Sequence, residues 1–378
     1  NFNEEVSREG TFAYKLEAPR QKYAKDDIIS LGCADFEICT PKPIQDALIK
    51  RVNHQIYGYT LPSPEFYNSI IQYYERHHKI QLKKENMVFT SGIVSGISLL
   101  LKSMLPNGGH VCIIEPEYPP FRRICAEQKL SINSVLLDSN NKLDMEKLEN
   151  AIKNSNILVF SNPHNPTGNV FSHQQLAEIS AICKKYNCAI ISDEVWCDHV
   201  FQPNQHNSMY NFDNVICTFE ASKTFNIAGL FISVITASNA EMLKQLKDLD
   251  QQIHFSKFNV LSMIALQSAM TDCDKWLDEF KDYIVENAIY VVNFFKEQMP
   301  LIKADLMQAT TLLWIDFSSI FSNIKEAEQF VIDSGVYLQP GNEFGDQGVK
   351  MRMNLGSPRK ILQNALERLQ KTYQQLKK

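Results

Sequence analysis

Residues 215–229 read Val-Ile-Cys-Thr-Phe-Glu-Ala-Ser-Lys-Thr-Phe-Asn-Ile-Ala-Gly. The apolar run Val215–Phe219 predicts a strand that is covered on both faces, and Lys223 follows it within a short polar turn. A partly desolvated lysine in such a turn can lose its proton and act as a nucleophile or a base. The alternative is an exposed lysine in a loop, which is the commonest environment for this residue. The stretch alone leaves both interpretations open.

Two other predicted strands also end in polar side chains. Residues 161–168 read Ser-Asn-Pro-His-Asn-Pro-Thr-Gly and follow the apolar run Ile157–Phe160, which predicts an irregular loop where open α/β sheets bind ligands. Asn165 can donate a side-chain hydrogen bond to a ligand there, although a simple turn is the alternative. Asp193 and Glu194 end a further apolar run, and a buried carboxylate needs a partner. A protonated ring nitrogen, a metal ion and a salt bridge all fit.

A fourth feature is the segment Thr-Ser-Gly-Ile-Val-Ser-Gly at residues 90–96. Apolar residues recur at helical spacing from Ile93 to Met104, so the segment opens a helix. The backbone N–H groups of Ile93 and Val94 are then available to bind a phosphate. A glycine-containing helix start is common, so this feature indicates a phosphate site only together with the others.

Short apolar runs alternate with helical patterns through the middle of the chain. The predicted strands are Met87–Thr90, Val111–Glu115, Ser134–Leu137, Ile157–Ser161, Ala189–Ser192, Val215–Phe219 and Phe231–Ala237. This alternation predicts an α/β fold with a mostly parallel seven-stranded sheet covered by helices on both faces. The pattern changes near Asp272, where long helices flank short strands. We therefore predict a large domain over residues 45–270 and a smaller α+β domain made of residues 1–44 and 271–378.

Two short stretches carry local expectations. Pro41 and Pro43 predict a helix that begins at Ile44, just after them. His77 and His78 fall at the polar end of a predicted helix and are expected to be solvated.

The composition excludes several classes of protein. The chain has 378 residues, 44% of them hydrophobic and 21% charged, which is typical of a globular protein with more than one core. A net charge of −5 gives no support for nucleic acid or an anionic membrane as partner. No apolar run approaches the roughly 20 residues of a membrane span, and the first residues do not resemble a signal peptide. Nine scattered cysteines predict free thiols in the cytoplasm and no metal site.

In their order along the chain, these features resemble the class I/II aminotransferase branch of the fold-type-I enzymes that use pyridoxal 5′-phosphate (PLP). The landmarks are Asn165–Gly168, Ser192–Glu194 and Ser222–Gly229. Other segments are similar to the cystathionine β-lyase or C–S lyase (MalY/PatB-type) subgroup, namely Ala34–Glu37, Tyr57–Thr60, Pro116–Phe121, Asn162–Asn165, Pro340–Gly345 and Arg352–Arg359. The resemblance runs from about Ile28 to Leu376 and implies the aspartate-aminotransferase fold, with PLP as cofactor.

The resemblance also implies roles for residues around the ring of the cofactor. Lys223 would carry PLP as a Schiff base and act as the catalytic base, and Asp193 would pair with the ring nitrogen. Asn165 would bond the phenolic oxygen of the ring. Tyr118 would stack on the ring face and take part in catalysis.

The phosphate and the substrate have their own implied partners. The remaining cofactor contacts would come from the backbone of Ile93 and Val94, the hydroxyl of Ser222, the indole of Trp196, and Tyr59 of the partner subunit. Arg352 would bind the carboxylate of an amino-acid substrate, with Asn165 and Tyr59 also contacting the substrate. The resemblance therefore implies a homodimer with shared active sites.

Several positions depart from the pattern of the family, among them Trp196, Glu220 and Thr311, which replaces an expected aromatic residue. Trp196 lies where the family usually has tyrosine or histidine, and its indole N–H can only donate. Glu220 lies three residues before Lys223, where a phosphate-binding serine is common. A carboxylate repels a phosphate, so we expect Glu220 to point elsewhere.

The leading functional hypothesis is β-elimination by a C–S lyase acting on L-cystathionine or a cysteine S-conjugate, which yields a thiol, pyruvate and ammonia. Transamination of an amino acid is the alternative, because the same groups serve both reactions. The lyase-like segments Tyr57–Thr60 and Lys223–Gly229 favour the lyase. A hypothesis of another class is a PLP-binding regulator with little catalysis.

Overall fold

The computed structural model describes residues 1–254 and 259–376 and divides into two compact units. The larger unit comprises Thr40–His164 and Val170–Leu277, and the smaller comprises Asn1–Cys39, Asn165–Asn169 and Asp278–Lys378. The predicted domains contain residues 255–258, 377 and 378, which lie outside the described residues. The boundaries of these domains stay a prediction.

The strands and helices of the described residues follow in chain order. The strands are β1 (Ile29–Ser30), β2 (Met87–Thr90), β3 (His110–Glu115), β4 (Ser131–Leu136), β5 (Ile157–Ser161), β6 (Ala189–Asp193), β7 (Val215–Phe219), β8 (Ser233–Thr236), β9 (Lys303–Ala304), β10 (Leu312–Asp316), β11 (Val336–Tyr337), β12 (Gln339–Pro340) and β13 (Lys350–Asn354). The α-helices are α1 (Tyr14–Tyr23), α2 (Lys42–Val52), α3 (Pro64–His78), α4 (Ile93–Met104), α5 (Pro119–Glu127), α6 (Met145–Ile152), α7 (His173–Lys185), α8 (Lys244–Ile253), α9 (Val260–Asp272), α10 (Asp274–Gln298), α11 (Ile324–Asp333) and α12 (Arg359–Gln375).

The larger unit is built on a seven-stranded sheet with the strand order β2-β8-β7-β6-β5-β3-β4. Strand β8 runs antiparallel to both of its neighbours, and the other pairs in the sheet are parallel. The structure thus confirms the predicted mostly parallel seven-stranded sheet. Strand β8 begins two residues later than predicted, because Phe231 is exposed and takes a left-handed backbone conformation with φ 44°.

The register of the sheet brings its polar strand ends to one edge. Strands β2, β5, β7 and β8 are buried at every residue, as strands covered on both faces should be. In the parallel pairs, Ser161 lies beside Asp193, and Asp193 lies beside Thr218. The segments that follow β5, β6 and β7 therefore leave the sheet at the same edge, where open α/β sheets bind ligands.

The smaller unit contains an antiparallel sheet in the order β12-β13-β10-β9 and a parallel pair formed by β1 and β11. Its core is formed by buried side chains such as Leu31, Phe295, Leu313 and Met353. Most of α10, which is 25 residues long, and all of α12 belong to this unit. Strand β13 carries Arg352 within this sheet.

The start of α2 differs from the expectation. The helix begins at Lys42, so that Pro41 is its N-cap and Pro43 lies inside its first turn rather than before it. Proline is tolerated there because the first N–H groups of a helix have no partner within the helix. Among the described residues, no helix is long and apolar enough to cross a membrane.

Candidate active site

The two carboxylates at the end of β6 have different environments. Successive side chains of a strand point to opposite faces, so Asp193 and Glu194 leave the strand in different directions. Glu194 meets the Nε2 atom of His206 at 2.7 Å and accepts hydrogen bonds from Met209 N–H and the Ser192 hydroxyl. Burial alone raises the pKa of Glu194, but the contact with His206 holds it below its usual range. Glu194 therefore already has its partners within the protein.

Asp193 has weaker partners than Glu194. Its side chain is buried, and it accepts hydrogen bonds from Val195 N–H at 3.2 Å and from the Thr218 hydroxyl at 3.4 Å. In the part of the chain that the structure describes, no cation lies within ion-pair distance of it. Burial raises the pKa of Asp193 to about 7. This carboxylate is thus the one that a cationic group of a ligand can stabilise.

Lys223 lies in the turn after β7, on the strand next to that of Asp193. Its side chain is partly buried, and its charge lowers the pKa of both Asp193 and Glu220. The lysine is therefore not an isolated surface residue. It shares its surroundings with two carboxyl groups, as the reactive interpretation of this lysine requires.

A buried hydrogen-bond chain holds the turn of Lys223 in place. The Thr224 hydroxyl donates to Asp198 Oδ2 at 2.7 Å, and Asp198 Oδ1 lies 2.7 Å from His78 Nε2. Burial alone raises the pKa of Asp198, but the hydrogen bond with His78 holds it well below its usual range. The expectation that His78 is solvated was wrong, because its side chain is only 6% exposed and pairs with Asp198. The Cys197 thiol lies within 4.8 Å of this pair.

Asp198→Asn is expected to lower the free energy of unfolding by about 3 kcal/mol at neutral pH, because it leaves a buried histidine without its charged partner. Asp274→Asn is the matched control. Asp274 pairs with His77 and with Arg76 but is 37% exposed, so its loss should cost about 1 kcal/mol or less. Urea denaturation measures both values. The contribution of Asp198 to the free energy of unfolding of the native protein should be lost as the pH falls below about 4. Only the ionised carboxylate gives this contribution, because the pKa of Asp198 is lower in the folded protein than in the unfolded chain. Equal destabilisation by the two variants would contradict this role of Asp198.

The position of Glu220 is opposite to the expectation. The carboxylate does not point away from the predicted phosphate site but accepts a hydrogen bond at 3.1 Å from the N–H of Ile93, the first residue of α4. The hydroxyl of Ser222 also donates to Glu220. The N-terminus of a helix carries a partial positive charge, which attracts the Glu220 carboxylate to this position.

The other predicted residues of the larger unit occupy varied environments. Tyr118 is half-buried at the start of α5, with its ring in edge-to-face contact with Phe121. Trp196 is almost fully buried and packs edge-to-face against His199. Val94 is partly buried in the first turn of α4, whereas Tyr59 is fully exposed.

Arg352 and Asn165 meet within the smaller unit. The Nη1 atom of Arg352 donates to Asn165 Oδ1 at 2.8 Å, and the Nη2 atom donates to the Gly32 carbonyl at 2.9 Å and to Gln339 Oε1 at 2.5 Å. The guanidinium also lies over the ring of Phe344, 4.8 Å from its centre. These contacts fix the plane of a buried guanidinium, which is the group best suited to bind a carboxylate.

The relationship to known proteins agrees with this arrangement. A model of the family described as "Aminotransferase class I and II" matches residues 28–369. The chain belongs to this family.

The aminotransferase family includes relatives similar to this chain over nearly its full length. "Cystathionine beta-lyase PatB" of Bacillus subtilis is 28% identical and the match covers 98% of each chain. The crystal structure of cystalysin from Treponema denticola, which contains a PLP cofactor, has a TM-score of 0.95, 29% identity, and coverage of 100% of this chain and 99% of cystalysin. The PLP-bound C–S lyase of Staphylococcus hominis has a TM-score of 0.91, 28% identity, and coverage of 99% and 98%. The predicted family and fold are confirmed.

Several residues that contact the predicted site residues or their neighbours were not predicted. They are His78, Asp198, Thr224, Glu117 and Gln339. Glu117 is buried, accepts hydrogen bonds from the hydroxyl and the N–H of Ser161, and has its pKa raised to about 8 by burial. The sequence contained a signal for two of them, because Glu117 and Asp198 are carboxylates in segments that follow predicted strands. No spacing rule connects these carboxylates to their partners.

Proposed function

We propose that this protein is a PLP-dependent C–S β-lyase that cleaves L-cystathionine or cysteine S-conjugates to a thiol, pyruvate and ammonia. The observation that carries the proposal is that a buried Asp193 ends one strand and a partly buried Lys223 follows the adjacent parallel strand, with the charge of Lys223 lowering the pKa of Asp193. Relatives named as a cystathionine β-lyase, cystalysin and a C–S lyase support the choice of reaction. The substrate is accordingly a small amino acid with a sulfur leaving group.

The residues of the larger unit fit the ring end of PLP. Asp193 has no ion-pair partner among the described residues, and a protonated ring nitrogen supplies one. By the resemblance to the family, the ring would also contact Tyr118 and Trp196, and Asn165 would bond its phenolic oxygen. The proposed donors at the phosphate end are the backbone N–H groups of Ile93 and Val94 and the hydroxyl of Ser222. Two of these donors, the Ile93 N–H and the Ser222 hydroxyl, already donate to Glu220.

When bound, PLP supplies an electron sink that stabilises negative charge at the α-carbon of the substrate. Lys223 would hold the cofactor and then take the proton from that carbon as general base. Asp193 would keep a proton on the ring nitrogen, because its ionised form needs a cation in this buried position. Arg352 would bind the substrate carboxylate, and Asn165 and Tyr59 would contact the substrate beside it.

Arg352→Ala is expected to raise KM for the amino-acid substrate about 100-fold, and Arg352→Lys about tenfold, because lysine cannot reproduce the planar fork. The dissociation constant of PLP should change far less than KM in both variants, since the proposed contact of Arg352 is with substrate and it acts on the cofactor only through its hydrogen bond to Asn165. Steady-state kinetics and PLP titration measure the two quantities. Arg368→Lys, which alters an arginine paired with the exposed Asp27, is the control. An unchanged KM in Arg352→Ala would refute the assignment.

A second copy of this chain is the proposed partner, forming a homodimer with shared active sites. Tyr59 is fully exposed, and Ile56 and Leu61 nearby in sequence are also largely exposed. Exposed apolar residues of this kind are typical of interfaces. We also propose a cytoplasmic location. All nine cysteines are free, and seven of them are buried, which fits a reducing compartment.

Product analysis of the purified, PLP-loaded protein with L-cystathionine, and with no keto acid added, tests the function. Catalytic formation of pyruvate, ammonia and homocysteine would support the lyase. Amino transfer that starts only when a keto acid is supplied would instead make the protein an aminotransferase. Binding of PLP without turnover of either kind would favour the regulator.

A further inference from the structure

Glu220 occupies the place where the cofactor phosphate is proposed to bind. The carboxyl group lies at the N-terminus of α4, where it accepts the N–H of Ile93 and the hydroxyl of Ser222. Helix α4 has 12 residues, and its N-cap is Gly92, with a φ of 87°. Because Gly92 has no side chain, a group from elsewhere in the chain must accept the first N–H groups of the helix. Glu220 performs that capping from the end of β7.

The electrostatic surroundings of Glu220 are mixed. Burial raises its pKa, whereas Lys223, the Ser222 hydroxyl and the Ile93 N–H lower it, and the net pKa is above the usual range. Burial is the main cause of the raised pKa of Asp193 on β6 and of Tyr74 on α3, and the charge of Glu220 raises both further. A further negative charge placed here would therefore meet two carboxyl groups and one lysine.

A phosphate cannot share this position with an ionised Glu220. Both groups need the same N–H donors, and like charges at hydrogen-bond distance repel each other strongly in a partly buried site. One proton on the carboxyl group removes the repulsion. It also converts the group from an acceptor into a donor toward a phosphate oxygen.

We infer that Glu220 couples binding of the PLP phosphate to the uptake of one proton from solvent by its carboxylate. The inference rests on the proposed function, because it takes PLP as the cofactor. In the cofactor-free protein at a pH above the pKa of Glu220, the carboxylate is ionised and caps α4. In the loaded protein it is a neutral carboxylic acid beside the phosphate, so the affinity for PLP falls as the pH rises.

Titration of the cofactor-free protein with PLP and with pyridoxal, which lacks the phosphate, tests the inference. Tryptophan fluorescence gives both dissociation constants, and their ratio removes any effect of pH that the two ligands share. In the native protein, the dissociation constant of PLP divided by that of pyridoxal should rise about tenfold per pH unit at pH values where the carboxyl group of Glu220 ionises. Glu220→Gln should abolish this rise, because glutamine is neutral and nearly the same shape. The titration of the phosphate itself remains in both proteins and cancels in their comparison.

Calorimetry in two buffers of different ionisation enthalpy counts the protons directly. The native protein should take up about one more proton than Glu220→Gln when PLP binds. Glu220→Ser frees the Ile93 N–H and should bind PLP more tightly than the native protein at alkaline pH. This variant replaces Glu220→Gln in the test if the glutamine variant does not fold. Glu65→Gln changes an exposed glutamate in the first turn of α3 and should behave as the native protein.

The outcomes separate the two proposals. PLP binding with the same pH dependence in the native protein and Glu220→Gln overturns the inference and leaves the proposed function standing. Failure of every folded form to bind PLP overturns the proposed function, and the inference falls with it.

Discussion

Lys223→Ala is expected to abolish covalent retention of PLP and to lower kcat about 10³-fold or more, because one amine both holds the cofactor and moves the substrate proton. Borohydride reduction followed by peptide mass mapping should place the cofactor on the peptide that contains residue 223 in the native protein only. Turnover of L-cystathionine gives the second readout.

Two controls make the result specific. Lys223→Arg keeps the positive charge near Asp193 and Glu220 but should be as inactive as the alanine variant, because arginine does not lose its proton near neutral pH. Lys102→Ala removes an exposed lysine of α4 and should leave both readouts unchanged. Turnover by Lys223→Ala within about tenfold of the native rate would refute the role of Lys223 as base.

Asp193→Asn is expected to have opposite effects on the cofactor-free and the loaded protein. Burial raises the pKa of Asp193 to about 7, so the native fold holds this proton more tightly than the unfolded chain does. The free energy of unfolding of the cofactor-free protein therefore falls between about pH 4 and about pH 7, with a contribution on the order of 2–4 kcal/mol from this group. Asparagine has no charge to bury, so the variant should be the more stable form at neutral pH.

The loaded protein should respond in the other direction. Without the negative charge of Asp193, the ring nitrogen loses its partner and kcat should fall about 10²- to 10³-fold. Denaturation of the cofactor-free forms at several pH values and steady-state kinetics of the loaded forms measure the two effects. Asp213→Asn, at an exposed carboxylate, should change neither. If the free energy of unfolding of Asp193→Asn depended on pH in the same way as that of the native protein, the pKa of about 7 for Asp193 would be contradicted.

The strands of the sheet were predicted within a few residues, because each apolar run is bounded by polar or turn-forming residues. The reversed direction of β8 was not predicted, since apolar periodicity carries no information about which way a strand runs. The start of α2 was misplaced for a related reason. A proline marks the first turn of a helix without fixing which of its positions it fills.

The candidate site was predicted in part. Sequence alone identified Asp193 and Glu194 as strand-end carboxylates but not which of them a ligand would use. That distinction depends on His206, whose contact with Glu194 arises from the fold. Likewise, the contact of Asp198 with His78 joins residues 120 positions apart, so no local pattern indicates it. The roles taken from the family resemblance for Arg352, Tyr118 and Tyr59 remain proposals.

The distribution of thiols gives this protein a built-in reporter of local opening. Both cysteines that are not buried, Cys33 and Cys39, lie in the smaller unit, and the seven buried ones lie in the larger unit. Burial raises the pKa of Cys33, so an alkylating reagent should modify Cys39 first. Modification of any of the seven buried cysteines requires the larger unit to open, and its rate therefore measures how often that sheet and its helices come apart.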